Sequence, residues 1–308
     1  MQTQHRRTTA DLSVRDLGKR YANGTWGLRD ANFSLAAGKM VAVLGPNGAG
    51  KSTLIHMLAG AIEPTEGEIT FADPQARIGW SSQRTTIDWY LNVMQNVELG
   101  GRLYGFSRAE CRRYAQELLE HFHLADLATN DVSMLSGGQQ QRIQVARTLM
   151  SQPDIMLLDE PTASLDVESS EAVLGLLRDR TRQGALALVS SHDLGLLEQY
   201  CDDVLFVLNG EVLTHESMQT FLRRYTPMAS VRLTLESEVS PEVLVALGHF
   251  DPQADINDSR VIEINLPADS ALSDAILAIG NLNRVMVVSS TPVSLRNVYL
   301  QLRKEGAK

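Results

Sequence analysis

The chain is 308 residues long, 44% hydrophobic and 21% charged, and 28 basic against 37 acidic side chains leave a net charge of −9. That length suits roughly two domains with a sizeable core. The acidic balance argues against nonspecific binding to nucleic acid or anionic lipid as the main activity, so no nucleic-acid partner is expected. The two cysteines, Cys111 and Cys201, lie far apart without metal-ligand spacing, which speaks against a disulfide framework. No apolar run approaches the roughly eighteen residues of a membrane-spanning helix.

In chain order, residues 1–11 carry Arg6 and Arg7 but no apolar stretch of a signal peptide, and are expected to form a flexible polar tail. From 12 to about 222 short apolar strands alternate with helices, the pattern of an α/β domain with a parallel-sheet core. The runs MVAVL (40–44), DIMLL (154–158) and ALALVSS (185–191) read as strands buried on both faces. Between about 84 and 150 helix-like sequence replaces strands, with Ser107 as a capping residue, so a helical subdomain is expected inside the core. Residues 204–214 read as a hairpin turning at Asn209-Gly210. After Thr226-Pro227 three strands (230–236, 260–266, 284–290) alternate with helices (240–247, 269–281, and one closing the chain), which predicts a small α+β domain over 228–308.

Three stretches carry chemistry. Gly45 to Thr53, GPNGAGKST, fits G-x-x-x-x-G-K-[ST] between a buried strand and a helix. Glycines there let backbone N–H groups close around phosphates at a positive helix end. Lys51 reaches the β- and γ-phosphates and the Ser52 hydroxyl ligates Mg²⁺. The strand 154–158 projects Asp159, suited to a direct or indirect Mg²⁺ contact, and Glu160, suited to polarising an attacking water. Ser136, Gly137 and Gly138 open a further helix whose unpaired N–H groups form a second anion site.

Taken in order, Tyr21, the GxxxxGKST loop, a lone Gln83, LSGGQ (135–139), the apolar strand with Asp159-Glu160, and His192 in SSHD resemble the nucleotide-binding subunits of ATP-binding cassette (ABC) transporters. The resemblance covers about residues 12–215. It implies a P-loop NTPase fold: a parallel-sheet core with antiparallel N-terminal strands and an inserted helical subdomain. It implies ATP and Mg²⁺ as ligands, with Tyr21 on the adenine and Gly45, Pro46, Asn47, Gly48, Ala49, Gly50, Lys51, Ser52 and Thr53 around the phosphates. Gln83 is implied near Mg²⁺ and the attacking water, although Ser81-Ser82 replace the proline more usual before it. Glu160 is implied as the base and His192 as a contact to the γ-phosphate. LSGGQ, through Ser136 and Gly138 with Gly137 and Gln139 beside them, is implied to serve the ATP held by a second cassette, paired head to tail in a homodimer, and Asp166 in SLD is implied as the D-loop residue of the nucleotide-binding set.

The same resemblance implies an integral-membrane permease as partner and a cytoplasmic location on the inner face of the cell membrane. Residues 85–105, rich in Trp89, Tyr90, Leu91, Val93, Leu99, Leu103 and Tyr104, are either the permease-facing surface or the helical subdomain's own core. The ending STPVSLRNVYLQLRK (290–304) is similar to that of multidrug- and antibiotic-resistance exporter ATPases, with Asn297 in place of the usual acid. Import, or a soluble ABC ATPase without a permease, are the alternative readings. A non-enzymatic scaffold is argued against by Glu160.

Overall fold

The computed structural model describes residues 10–225, 228–250, 252–255, 258–267, 272–280, 282–290 and 294–305. The chain divides into two compact units between Met218 and Gln219. Of the tail expected over 1–11, residues 1–9 lie outside the described residues. Ala10 is buried, and the Asp11 carboxylate accepts the Ala37 N–H at 2.6 Å.

The first unit opens with strands β1 (Leu12–Arg20), β2 (Trp26–Leu35) and β3 (Met40–Leu44), helix α1 (Lys51–Leu58), and strands β4 (Glu66–Phe71) and β5 (Ile78–Ser81). Three helices follow, α2 (Val93–Leu103), α3 (Arg108–His121) and α4 (Gly137–Leu149). The core resumes with β6 (Ile155–Leu158), α5 (Val167–Arg182), β7 (Leu186–Val189), α6 (Leu194–Tyr200), β8 (Asp203–Leu208) and β9 (Glu211–Ser217). Six strands form one sheet in the order β5-β6-β7-β3-β8-β9, parallel except for the last. A separate antiparallel sheet runs β2-β1-β4. This is the mixed α/β core expected, and no helix among the described residues is long and apolar enough to cross a membrane.

The central strands β3, β6 and β7 are buried at every residue, which is why their sequences are unbroken apolar runs. Each fully buried Leu, Val or Ile contributes about 1.5–3 kcal/mol before entropy is counted. Functional loops leave the carboxyl ends of these strands, where a parallel sheet presents its ligand edge. At the β8–β9 turn Asn209 and Gly210 both have positive φ (52° and 81°), as a two-residue hairpin with this hand requires.

All three inserted helices begin with reciprocal capping boxes: Asn92 with Gln95, Ser107 with Glu110, and Ser136 with Gln139. The three helices pack on one another, and Val93, Val97, Cys111, Leu118, Ile143 and Val145 on them are all buried.

Helix α7 (Met218–Tyr225) leads into the second unit: β10 (Met228–Leu235), α8 (Pro241–Ala246), β11 (Gln253–Ala254), β12 (Val261–Pro267), α9 (Leu272–Ile279), β13 (Val285–Ser290) and α10 (Leu295–Glu305). Its antiparallel sheet has the order β11-β12-β10-β13. A compact core forms where Val231, Leu233, Ile262 and Ile264 meet Val243, Leu247, Ala275 and Ile279. The two-residue β11 was not legible as a strand in the sequence.

Candidate active site

The loop after β3 wraps back on itself before α1. Gly45 (φ 151°) and Gly50 (φ 111°) occupy left-handed backbone, and a Cβ would lie 2.0 Å from the Val207 carbonyl in the first and 2.3 Å from the Gly27 carbonyl in the second. Only glycine fits either place. Gly50 caps α1 without a side chain, leaving the helix's first N–H groups free to bind an anion. Lys51 Nζ donates to the carbonyls of Gly45 (2.7 Å) and Pro46 (3.1 Å), which holds the ammonium across the loop. Burial lowers the Lys51 pKa, and the neighbouring Glu160 and Asp159 oppose that shift.

A cleft of about 410 Å³ opens over this loop. Asn47, Gly48, Gly50, Lys51, Ser52 and Thr53 line it, together with Tyr21, Gln83, Asp159, Glu160 and His192. Gly45, Pro46 and Ala49 support it from behind; Ala49 is buried, donates its N–H to Pro46 and accepts that of Gly210. The Tyr21 ring stands at the cleft with its hydroxyl 3.1 Å from Thr53 Oγ1. It stands there because residue 27 is glycine: a Cβ would lie 2.6 Å from the Tyr21 ring. Thr25, Trp26 and Gly27 also line the cleft and were not read as site residues from the sequence.

Beyond the ends of β6 and β7 one hydroxyl ties the Asp159 carboxylate to the Glu160 backbone. Ser190 Oγ donates to Asp159 Oδ1 (2.6 Å) and accepts the Glu160 backbone N–H (2.9 Å). Among the described residues, Asp159 Oδ2 is buried without a hydrogen-bond partner. An orphaned carboxylate oxygen costs free energy unless something positive meets it. With the Ser52 hydroxyl and the Gln83 amide oxygen on the same cleft, the donor set is all oxygen and fits Mg²⁺. Among the described residues no group of three or more His, Cys, Asp and Glu could hold a metal by itself.

Glu160 sits at φ 55°, a left-handed conformation costing roughly 1–3 kcal/mol for a non-glycine residue. That bend turns its side chain to His192, whose backbone N–H donates to Glu160 Oε2 (3.1 Å) and whose Nε2 lies 3.5 Å from Oε1. Burial pushes the Glu160 carboxyl above the ordinary glutamate range; His192 pulls it down and the Asp159 carboxylate pushes it up again. A carboxylate so raised is a stronger proton acceptor once ionised.

Ser136, Gly137, Gly138, Gln139 and Asp166 do not line this cleft. The Ser136 hydroxyl accepts the Gln139 N–H (3.3 Å), and Gln139 Oε1 accepts the Ser136 N–H (2.9 Å). Gly137 faces open space, whereas a Cβ on Gly138 would lie 2.8 Å from the Ser164 carbonyl. Asp166 caps α5 by accepting the Ser169 N–H (2.7 Å), which lowers its pKa. Within the stretch 85–105, Val93, Met94 and Val97 are core, while Trp89, Tyr90 and Leu103 are exposed.

Comparison with known proteins adds four findings. The profile of the family described as ABC transporter matches residues 28–163. The chain is 33% identical over 288 residues to the phosphonates import ATP-binding protein PhnC 1 of Rhodopseudomonas palustris (strain HaA2), covering 86% of this chain and 99% of that protein. It is 29% identical over 267 residues to the linearmycin resistance ATP-binding protein LnrL of Bacillus subtilis (strain 168), covering 84% of each. Among solved structures it is similar to a dimeric, post-hydrolysis ATP-binding cassette bound to ADP and Pi, at 29% identity and a TM-score of 0.63, over 67% of this chain and 98% of that one.

Proposed function

From the premise that the chain belongs to the ABC transporter family, and is therefore an ATP hydrolase serving a transporter, we propose that two copies sandwich ATP and drive an integral-membrane permease as an exporter. The observation that carries the hydrolytic site is the buried, unpartnered Asp159 Oδ2 beside a Glu160 carboxylate of raised pKa, both facing the Lys51 cradle.

In this reading Tyr21 stacks on the adenine, while the loop N–H groups and Lys51 hold the phosphates. Ser52, Gln83 and Asp159 would hold Mg²⁺, which would supply charge neutralisation for the phosphates. Glu160 accepts a proton from the attacking water, and His192 steadies the carboxylate and faces the γ-phosphate side. Ser136, Gly137, Gly138 and Gln139, which stand apart from this chain's own cleft, complete the site of a partner copy. Using one surface twice gives the pair two-fold symmetry.

The permease docks on the inserted helices. A second cavity of about 700 Å³ is lined there by Leu91, Leu99, Arg102, Arg108 and Arg112 around Glu98. Trp89 and Tyr90, 59% and 99% exposed, lie in the loop before α2. Through that contact the chain sits on the cytoplasmic face of the membrane. Export is supported by the sequence of α10 and by the likeness to LnrL across 84% of both chains. Import is the second reading, favoured by the match to PhnC 1 over 99% of that protein.

Glu160→Gln is the decisive test. Steady-state turnover is expected to fall by at least about 100-fold while ATP binding persists and light scattering finds an ATP-dependent dimer. Parent-like turnover would remove Glu160 from the chemistry. A monomer at saturating ATP would remove the sandwich.

A further inference from the structure

Helix α4 grips the loop that follows β5 through one row of side chains. Gln141, Gln144 and Thr148 recur at helical spacing and face the same way. Thr148 Oγ1 shares its proton between the Gln144 carbonyl of its own helix (3.0 Å) and the Trp80 carbonyl (3.3 Å), and Gln141 Oε1 accepts from Thr85 Oγ1 (3.4 Å). Between them Gln144, 2% exposed, makes three side-chain hydrogen bonds. Its Nε2 donates to Ser81 Oγ (2.9 Å) and to the Ser82 carbonyl (2.7 Å), and its Oε1 accepts the Thr86 backbone N–H (2.5 Å). A reversed amide would set oxygen against oxygen and N–H against N–H, so one orientation alone satisfies all three partners.

Two of these bonds bracket Gln83. The Ser82 carbonyl precedes it, the Thr86 N–H follows it, and Gln83 itself is exposed and lines the nucleotide cleft. Within the loop, Ser82 Oγ donates to the Arg84 carbonyl across Gln83 (2.9 Å). At its other end α4 carries Ser136, Gly137 and Gly138. A second, longer link runs from Gln141 Nε2 to the Glu160 carbonyl (3.4 Å).

We propose that Gln144 is a positioning residue for Gln83: its amide fixes the 82–86 loop to α4, so that Gln83 and the Ser136–Gly138 end of the helix move as one body. The inference rests on the reading of Gln83 as part of the hydrolytic site. A glutamine is the side chain the place demands, because it must present two N–H groups to oxygens and an oxygen to an N–H at once. Buried among polar partners, it has no water to replace a lost contact.

Gln144→Leu keeps similar bulk and removes all three bonds. kcat is expected to fall roughly tenfold or more, the scale of a misplaced catalytic contact. KM for ATP and the affinity for ADP are expected to stay within about twofold, since the phosphate cradle is untouched. Hydrogen exchange at the Thr86 amide is expected to accelerate. In a Gln83→Ala background the same substitution is expected to cost less than about a further twofold, because the role it serves is already gone. A kcat for Gln144→Leu within about twofold of the parent's, or the same fold loss with and without Gln83, overturns the proposal. Where Gln144→Leu fails to fold, Ser81→Ala removes one acceptor with a smaller side chain and is expected to lower kcat by about two- to threefold. Unchanged kcat and Thr86 exchange in Ser81→Ala overturns it as well. Parent-like turnover in Gln83→Ala would instead refute the reading of Gln83; exchange at Thr86 then decides whether the strap exists.

Discussion

Ser190 is the hydroxyl that anchors the Asp159 carboxylate and the Glu160 backbone N–H, and Ser190→Ala isolates its contribution. The side chain is fully buried, donates to a carboxylate at 2.6 Å and accepts a backbone N–H at 2.9 Å. A hydrogen bond to a charged group contributes about 1.5–3 kcal/mol and a neutral one about 0.5–1.5 kcal/mol. Both partners stay buried after the substitution, so the expected destabilisation is roughly 2–4 kcal/mol. The cavity left by one oxygen adds little. Urea unfolding followed by tryptophan fluorescence reads this cleanly, because Trp26, Trp80 and Trp89 all lie in the first unit. The Glu160 peptide loses its anchor, so kcat is expected to fall by about tenfold or more. A loss of stability under about 0.5 kcal/mol together with parent-like turnover would refute the claim that Ser190 organises the pair.

The raised Glu160 pKa predicts that kcat falls on the acid side at a pH above that of an ordinary glutamate, because the protonated carboxyl cannot accept a proton; a limb at or below about pH 4.3 would contradict it. Gly45→Ala places a Cβ 2.0 Å from the Val207 carbonyl at a φ of 151°, so a fluorescent ATP analogue is expected to lose at least about tenfold in affinity. Gly27→Ala drives a Cβ to 2.6 Å from the Tyr21 ring; weaker nucleotide affinity with little change in kcat is expected, and a fall in kcat alone would detach Tyr21 from binding. A chain ending at residue 225 is expected to bind ATP as the full chain does, since the cleft is built within the first unit. Loss of binding would place a site component in the second.

What was legible in the sequence followed its physical origin. Strands β3, β6 and β7 announced themselves because burial on both faces leaves no room for polar residues. The Asn209-Gly210 turn and the Ser107 cap are local codes that operate within four residues. The glycine loop was legible because its constraint is steric and continuous along the chain. Ser190 was read as the end of a strand, yet the strand stops at Val189 and its hydroxyl serves two residues thirty positions earlier. Gln144 was hidden for the same reason: its partners lie more than fifty positions away, and a glutamine in a helix has no local signature. Gly27 matters only through a ring that packs over it. Contacts set by sheet order, rather than by neighbouring residues, leave no trace in spacing.

The capping box at Ser136 bears on how two copies could part after hydrolysis. Its hydroxyl already satisfies one N–H of α4, and Gln139 satisfies the Ser136 N–H in return. Such a cap is worth about 1 kcal/mol, so the helix start is stable without an anion. A phosphate from a partner copy would therefore gain contacts mainly through helix N–H groups left uncapped and through the open side of Gly137, where no Cβ intrudes. The net gain at each grip is the difference between phosphate and cap, smaller than the gross charge-assisted bond. In the proposed sandwich, two such modest terms would hold the pair when the γ-phosphate is present and release it when hydrolysis removes that phosphate. A helix start that lost its order without the ligand would have to be reordered at every encounter and would grip more weakly, so the cap keeps each site ready for the next phosphate.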